Sequence, residues 1–294
     1  MRSFSCVMNV QTALAGKSFG RSIRRETEPC LFVPGPGDRD ERIRVSVSKE
    51  VNDMQMGVIM NGRVFLRLTV VAVGVRAEII RVPGDYARTQ SGINACSSGD
   101  TVLVSPGTYF GEGNVLLDYA GREILLIPEN QPETTVVDCE YKDQTAGVVF
   151  RTSEGSGVRL SECSIKRGVS LGRRQGGGIL CSGNVFPSID ACIVESCSAL
   201  RMGGGICCDA GATPTIQDCR IESNRAVNAG GGVACVGNSH AIIVRCEMIE
   251  DSASAFGGGV ATEGGAAAWI DNCNILDNEV KSLMGAWGGG VWCD

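Results

Sequence analysis

The chain has one histidine, His240, no pair of CxxC motifs, few charged residues and no hydrophobic run of membrane-spanning length. Each shortage excludes something. Structural zinc sites are built from Cys and His at characteristic spacings, and the adjacent Cys207-Cys208 offers no such spacing. With 27 Lys and Arg against 33 Asp and Glu, the formal charge is −6, the opposite of the basic patch a general nucleic-acid binder needs. A membrane-spanning helix takes roughly 18 or more apolar residues. Gly-Gly-Gly blocks interrupt the second half of the chain repeatedly, which disfavours helical repeats. The hydrophobic share is 43%, an ordinary value that argues against disorder.

What is present is repetition. Gly-Gly-Gly followed by Ile or Val starts at Gly176, Gly203, Gly230, Gly257 and Gly288, with spacings of 27, 27, 27 and 31. Other columns keep the same step: Ile189, Ile216, Ile243 and Ile270; Cys192, Cys219, Cys246 and Cys273; Val194, Ile221, Met248 and Ile275. A fixed period of this length marks a solenoid. Within Gly203 to Ala229, the glycines supply a turn. Ile206 and Cys208 share one side of a strand. Ile216 and Gln217 start a second strand, a bend near Asp218 brings Cys219 and Ile221 inward, and Asn224 is expected to end that strand by tolerating a left-handed turn. Arg225 to Ala229 then loops back. The expected fold is all-β: a right-handed parallel β-helix solenoid of about 27-residue coils with a short N-terminal helical cap. Its interior is aliphatic and cysteine-rich, and each coil depends on its neighbours for burial.

The fifteen cysteines admit two readings. In a secreted protein they suggest disulfides. Their periodic placement favours small apolar residues stacked in a crowded interior, as a ladder of free thiols, and Thr262 in the Cys181–Cys208–Cys235 column shows that an unpaired small residue suits that place.

Along the chain, residues 1–59 carry no repeat and read as an unrelated or disordered leader. Residues 60–77 have a basic start, a short apolar stretch and a small-residue end, the outline of a secretory signal; a strand over Val64 to Val75 is the alternative. If the signal is genuine, Met60 is the true start. Residues 78–110 read as a cap and first strand, with a helix over Tyr86 to Cys96 weakened by Gly92 and a strand at Thr101 to Val104. Residues 111–294 are the β-helix proper, stopping within a coil and so expected to be part of a longer protein or to have that end covered by another chain.

Tyr86 to Ala95 (YARTQSGINA), Gly99-Asp-Thr-Val102 and Pro106-Gly-Thr-Tyr109 resemble the amino-terminal cap of bacterial right-handed β-helix proteins of the pectin-lyase-like superfamily. Ile221-Glu-Ser-Asn224-Arg-Ala226, followed by Gly230-Gly-Gly-Val233, is similar to the paired motifs of polymorphic outer membrane proteins, which carry Phe-x-x-Asn and then Gly-Gly-Ala-Ile. Here Ile replaces Phe and a third Gly replaces Ala. The resemblance spans about residues 80–294. It implies the architecture and leaves the activity open, because the fold hosts lyases, hydrolases, epimerases, adhesins and passenger domains.

Catalysis on such a scaffold needs carboxylates clustered in one column or in neighbouring columns. Glu195 and Glu222 share a column, but its next member is Ile249. They are a weak Ca²⁺ candidate; no motif requires a cofactor or a resident metal. Arg174 and Arg201 stack in a column continued by Asn228, a short basic patch for an acidic glycan or simply a solvated face. His240 reads as a surface residue in a turn. Four extra residues between Asn278 and Gly288 lengthen one loop, and Lys281 and Trp287 there are candidates for sugar contact. The expected function is a non-catalytic secreted or cell-surface β-helix serving adhesion, scaffolding or carbohydrate binding, with a polysaccharide or cell-surface partner. The alternative is a polysaccharide lyase or glycoside hydrolase.

Overall fold

The computed structural model describes the backbone of residues 44–50, 53–60 and 63–70, and residues 77–142, 146–171, 175–281 and 288–294 in full. The chain divides into two units, Met1–Val75 and Arg76–Asp294. In the first, Arg44–Glu50, Asp53–Met60 and Arg63–Val70 form an antiparallel three-stranded sheet. The apolar part of the segment expected as a signal, 60–77, is thus largely a strand in this structure.

The second unit is a parallel solenoid. One coil makes four short strands: Ile206–Asp209, Thr215–Gln217, Arg220–Glu222 and Arg225–Ala226. Each pairs in parallel with its equivalents in the coils before and after, building sheets of seven, eight, seven and five strands, here called sheets 1 to 4 in that order. The registers reproduce the columns counted in the sequence: Ile179, Ile206, Val233, Val260 and Val291 are successive partners, as are Ile189, Ile216, Ile243 and Ile270. A parallel pair normally needs a long crossover, and a full coil supplies it. The inward aliphatics stack into one continuous core, each fully buried Ile or Val contributing roughly 1.5–3 kcal/mol.

The cap helix runs from Thr89 to Ala95, shorter at both ends than expected, and seals the first coil with the fully buried Ile93. Gly92 does more than weaken it. A Cβ there would lie 2.9 Å from Val82 Cγ2, so glycine is what lets the helix sit directly on the first strands.

The glycine blocks have two physical jobs. The first glycine of each takes a left-handed conformation, as at Gly203 with φ +65. In the first four blocks the second and third have no room for a side chain: a Cβ on Gly204 would lie 2.4 Å from the Arg225 carbonyl oxygen, and one on Gly205 2.7 Å from that of Gly232. The segment expected simply to loop back instead folds over the outside of sheet 1. Met202, Ala229 and Phe256 bridge one another in parallel and cover Cys207, Ala234 and Ala261, making a small second core outside the solenoid. Trp292 stacks on Phe256 with ring centroids 4.4 Å apart at its end.

Candidate functional site

Between sheets 2 and 3, and again between sheets 3 and 4, the chain bends at a single residue. The first set is Glu162, Ala191, Asp218, Arg245 and Asn272; the second is Arg167, Ser196, Ser223, Glu250 and Asp277; all have positive φ. This corrects the expectation for Asn224. The left-handed residue is Ser223, with φ 55, and Asn224 is fully buried, pointing inward. A left-handed non-glycine residue costs roughly 1–2 kcal/mol. Every bend but the last of each set, Asn272 and Asp277, donates a backbone hydrogen bond to the next coil, such as Ser223 N–H to the Ile249 carbonyl at 2.9 Å.

The residue after each bend, Gly168 excepted, carries a polar or thiol group toward the interior. After the second bend, Asn224 Oδ1 accepts the Cys197 N–H at 2.9 Å, Asp251 Oδ1 accepts the Asn224 N–H at 2.8 Å, and Asn278 Oδ1 accepts the Asp251 N–H at 2.9 Å. The amides also donate: Asn224 Nδ2 to the Val194 carbonyl at 2.9 Å and Asn278 Nδ2 to that of Met248 at 2.8 Å. After the first bend, cysteines do the same work. Cys219 Sγ accepts the Cys192 N–H at 3.4 Å, and its single S–H lies nearest the Gln217 carbonyl of its own coil at 3.1 Å, with that of Ile189 on the preceding coil at 3.4 Å. The cysteines of the described residues are free thiols, as the ladder reading expected, but they are hydrogen-bonding groups as well as small apolar ones. Burial pushes Cys197 up to about 12 and Cys96 up to about 11, so these thiols stay protonated.

The outer face of sheet 3 brings Glu195 and Glu222 together as neighbours in register. Each already has a cation: Lys166 lies 2.7 Å from Glu195, and Arg220 lies 2.6 Å from Glu222. A Ca²⁺ ion there would have to displace both. The same pairing runs through the surface, with Arg159 to Asp190 and Arg245 to Asp218 both at 2.7 Å, and Arg167 against Asp138. Burial alone would raise the Asp138 carboxyl, but hydrogen bonds from Arg167 and the Glu140 N–H hold it below the usual range. The other candidates do not join this face. Arg201 is exposed in the segment leaving sheet 4, where its carbonyl accepts the Asn228 N–H at 2.9 Å. Lys281 follows the Glu279–Val280 strand and pairs with Glu279. Arg174 and Trp287 lie outside the described residues. His240 is exposed, as expected, but starts the His240–Val244 strand rather than occupying a turn.

The outer face of sheet 2 holds a groove that column counting missed. A shallow cavity of about 590 Å³ is lined by Arg159, Phe186, Pro187, Ser188, Thr213 and Thr215, among others. Phe186 is 40% exposed. Arg159, Ser188, Thr215, Ile242 and Trp269 occupy one outward column on successive coils. Trp269, 71% exposed, caps that line. The signal in the sequence is the part of that outward column passing from Thr215 to Ile242 to Trp269, which carries no charge of the kind that marks a catalytic column.

A stack of parallel coils with an aliphatic and thiol interior defines a β-helix protein. A family model described as right-handed beta helix region matches residues 124–294, more than half of the chain, and the chain belongs to that family. No curated protein and no solved structure matches it significantly.

Proposed function

We propose that this protein is a non-catalytic β-helix scaffold, secreted or displayed at a cell surface, that binds an extended polysaccharide along the outer face of sheet 2. The observation that carries this reading is the alignment of an exposed Phe186 and Trp269 with the hydroxyls of Ser188, Thr213 and Thr215 on one rigid face. Aromatic rings accept the apolar face of a sugar, while hydroxyls and Arg159 supply the few directed polar contacts a binding surface needs. Parallel strands place one outward residue of this column on each coil, about 4.8 Å apart, which suits a polymer lying along the solenoid axis.

The test is titration calorimetry of the full chain against neutral and uronate polysaccharides. Combined Phe186→Ala and Trp269→Ala substitution should weaken binding about tenfold or more, the effect of losing about 1.4 kcal/mol of ring contact. Unchanged affinity would remove sheet 2 as the binding face. Rapid formation of unsaturated products from a uronate polymer would overturn the non-catalytic reading. In that case Arg201→Ala and Glu222→Ala decide whether the lyase or hydrolase chemistry uses those two residues.

A further inference from the structure

The interior ladder between sheets 3 and 4 contains one acid among amides and a thiol. Its rungs are Cys197, Asn224, Asp251 and Asn278, each accepted or accepting through a backbone N–H one coil away. Asp251 is fully buried. Its Oδ1 is saturated, taking the Asn224 N–H at 2.8 Å and Asn224 Nδ2 at 3.0 Å. Its Oδ2 is buried with no hydrogen-bond partner. That oxygen occupies the place where Asn224 and Asn278 carry Nδ2. Those amides donate to Val194 and Met248 carbonyls, and the residue between these two in the same register column is Ile221. A donor at Oδ2 would therefore meet the Ile221 carbonyl and complete the ladder.

We propose that Asp251 is held in the fold as a neutral carboxylic acid, its proton on Oδ2 donated to the Ile221 carbonyl, and that it makes the packing of these coils pH-sensitive. The third glycine of each of the first four blocks presses on this ladder. A Cβ on Gly232 would lie 2.4 Å from Asp251 Oδ2, so Oδ2 has no room for a solvating water on that side. This contact also explains why glycine rather than alanine stands third in the block. Among charged neighbours, Glu222 disfavours the ionised form, although its own charge is shared with Arg220. Arg225, Glu250, Asp277 and Glu279 on this and the adjacent coils are exposed, and the Cys197 thiol is held protonated. Burial, with a smaller contribution from Glu222, pushes the Asp251 carboxyl up to about 8 against the opposing Asn224 hydrogen bonds.

The sign follows from linkage. The unfolded chain loses this proton near pH 4, whereas the folded chain keeps it to about pH 8, so folding is progressively disfavoured as pH rises between those values and levels off above. Below pH 4 the residue contributes no slope. The experiment compares urea unfolding of the full chain and of Asp251→Asn from pH 4 to 9. The amide supplies a permanent donor for Ile221, so the ratio of the two unfolding constants should change with pH by up to about tenfold per unit, the variant gaining on the parent up to about pH 8. A ratio independent of pH overturns the proposal. Infrared spectroscopy of the parent chain with isotope-labelled aspartate gives a second reading that needs no variant. A protonated carboxyl band persisting at pH 6.5 supports the assignment, and its absence there overturns it.

Discussion

Asn224→Ala is the sharpest test of how the coils are held together. Asn224 is fully buried. Its side chain accepts the Cys197 N–H at 2.9 Å and donates to the Val194 carbonyl at 2.9 Å and to Asp251 Oδ1 at 3.0 Å. Truncation leaves the Cys197 N–H and the Val194 carbonyl without these partners in an interior whose other walls are aliphatic. A buried polar group stripped of its partner costs roughly 1–3 kcal/mol. Two such groups and the vacated volume together give about 3–5 kcal/mol, after allowing for partial relaxation. Urea melts followed by far-ultraviolet circular dichroism would measure this. Asn228→Ala is the control, because Asn228 is the same residue type one segment on, half-buried, with its side-chain amide against Met202 Sδ outside the solenoid; its loss should stay below about 1 kcal/mol. A loss for Asn224→Ala no larger than that of Asn228→Ala would refute the view that these interior amides couple adjacent coils.

Two further outcomes follow from the same geometry. Gly204→Ala should destabilise severely, by more than about 3 kcal/mol, because backbone oxygens of Arg225 and Gly231 stand 2.4 and 2.5 Å from the added carbon and belong to a sheet 4 strand and to the next glycine block, which are packed too closely to give way. Gly211→Ala, where the backbone is left-handed but nothing lies within 4 Å, should cost only about 1–2 kcal/mol; a loss at Gly204 no larger than that at Gly211 in thermal melts would refute crowding as the constraint there. For the thiols, maleimide labelling of the native protein followed by peptide mass mapping should modify Cys293, which is exposed, well before Cys192, Cys208 and Cys219, which are buried. Early modification of the Cys208 column would contradict a closed interior.

The solenoid was legible because its evidence is arithmetic. A step of 27 residues that returns Ile to Ile and Cys to Cys makes stacked coils the simplest arrangement, and the pairing of Ile206 with Val233 and of Ile216 with Ile243 follows directly. The single-residue bends were not legible, since Glu162, Ala191, Asp218, Arg245 and Asn272 share no chemistry. What they share is a backbone state, stabilised by bonds to the next coil that exist only once the coils have stacked. For the same reason Asn224 was read as a turn former. Locally that is what Asn does best, and only the adjacent coil offers its side chain an interior use.

The sequence by itself therefore determined the period, the parallel architecture, the inward columns and the need for glycine at each block, because these rest on the spacing of residue types along one chain. Tertiary structure alone decided which atoms the glycines must make room for, that the thiols and amides bond the backbones of successive coils, and that Asp251 Oδ2 faces an interior without a partner. It also decided that Glu195 and Glu222 meet in register with cations already beside them, while Phe186 stands over a groove that no charged column marks. The physical reason is common to all of these. Periodicity says which residues stack, but burial, close approach and the completion of hydrogen bonds depend on neighbours that are about 27 residues away in the chain and about 5 Å away in space.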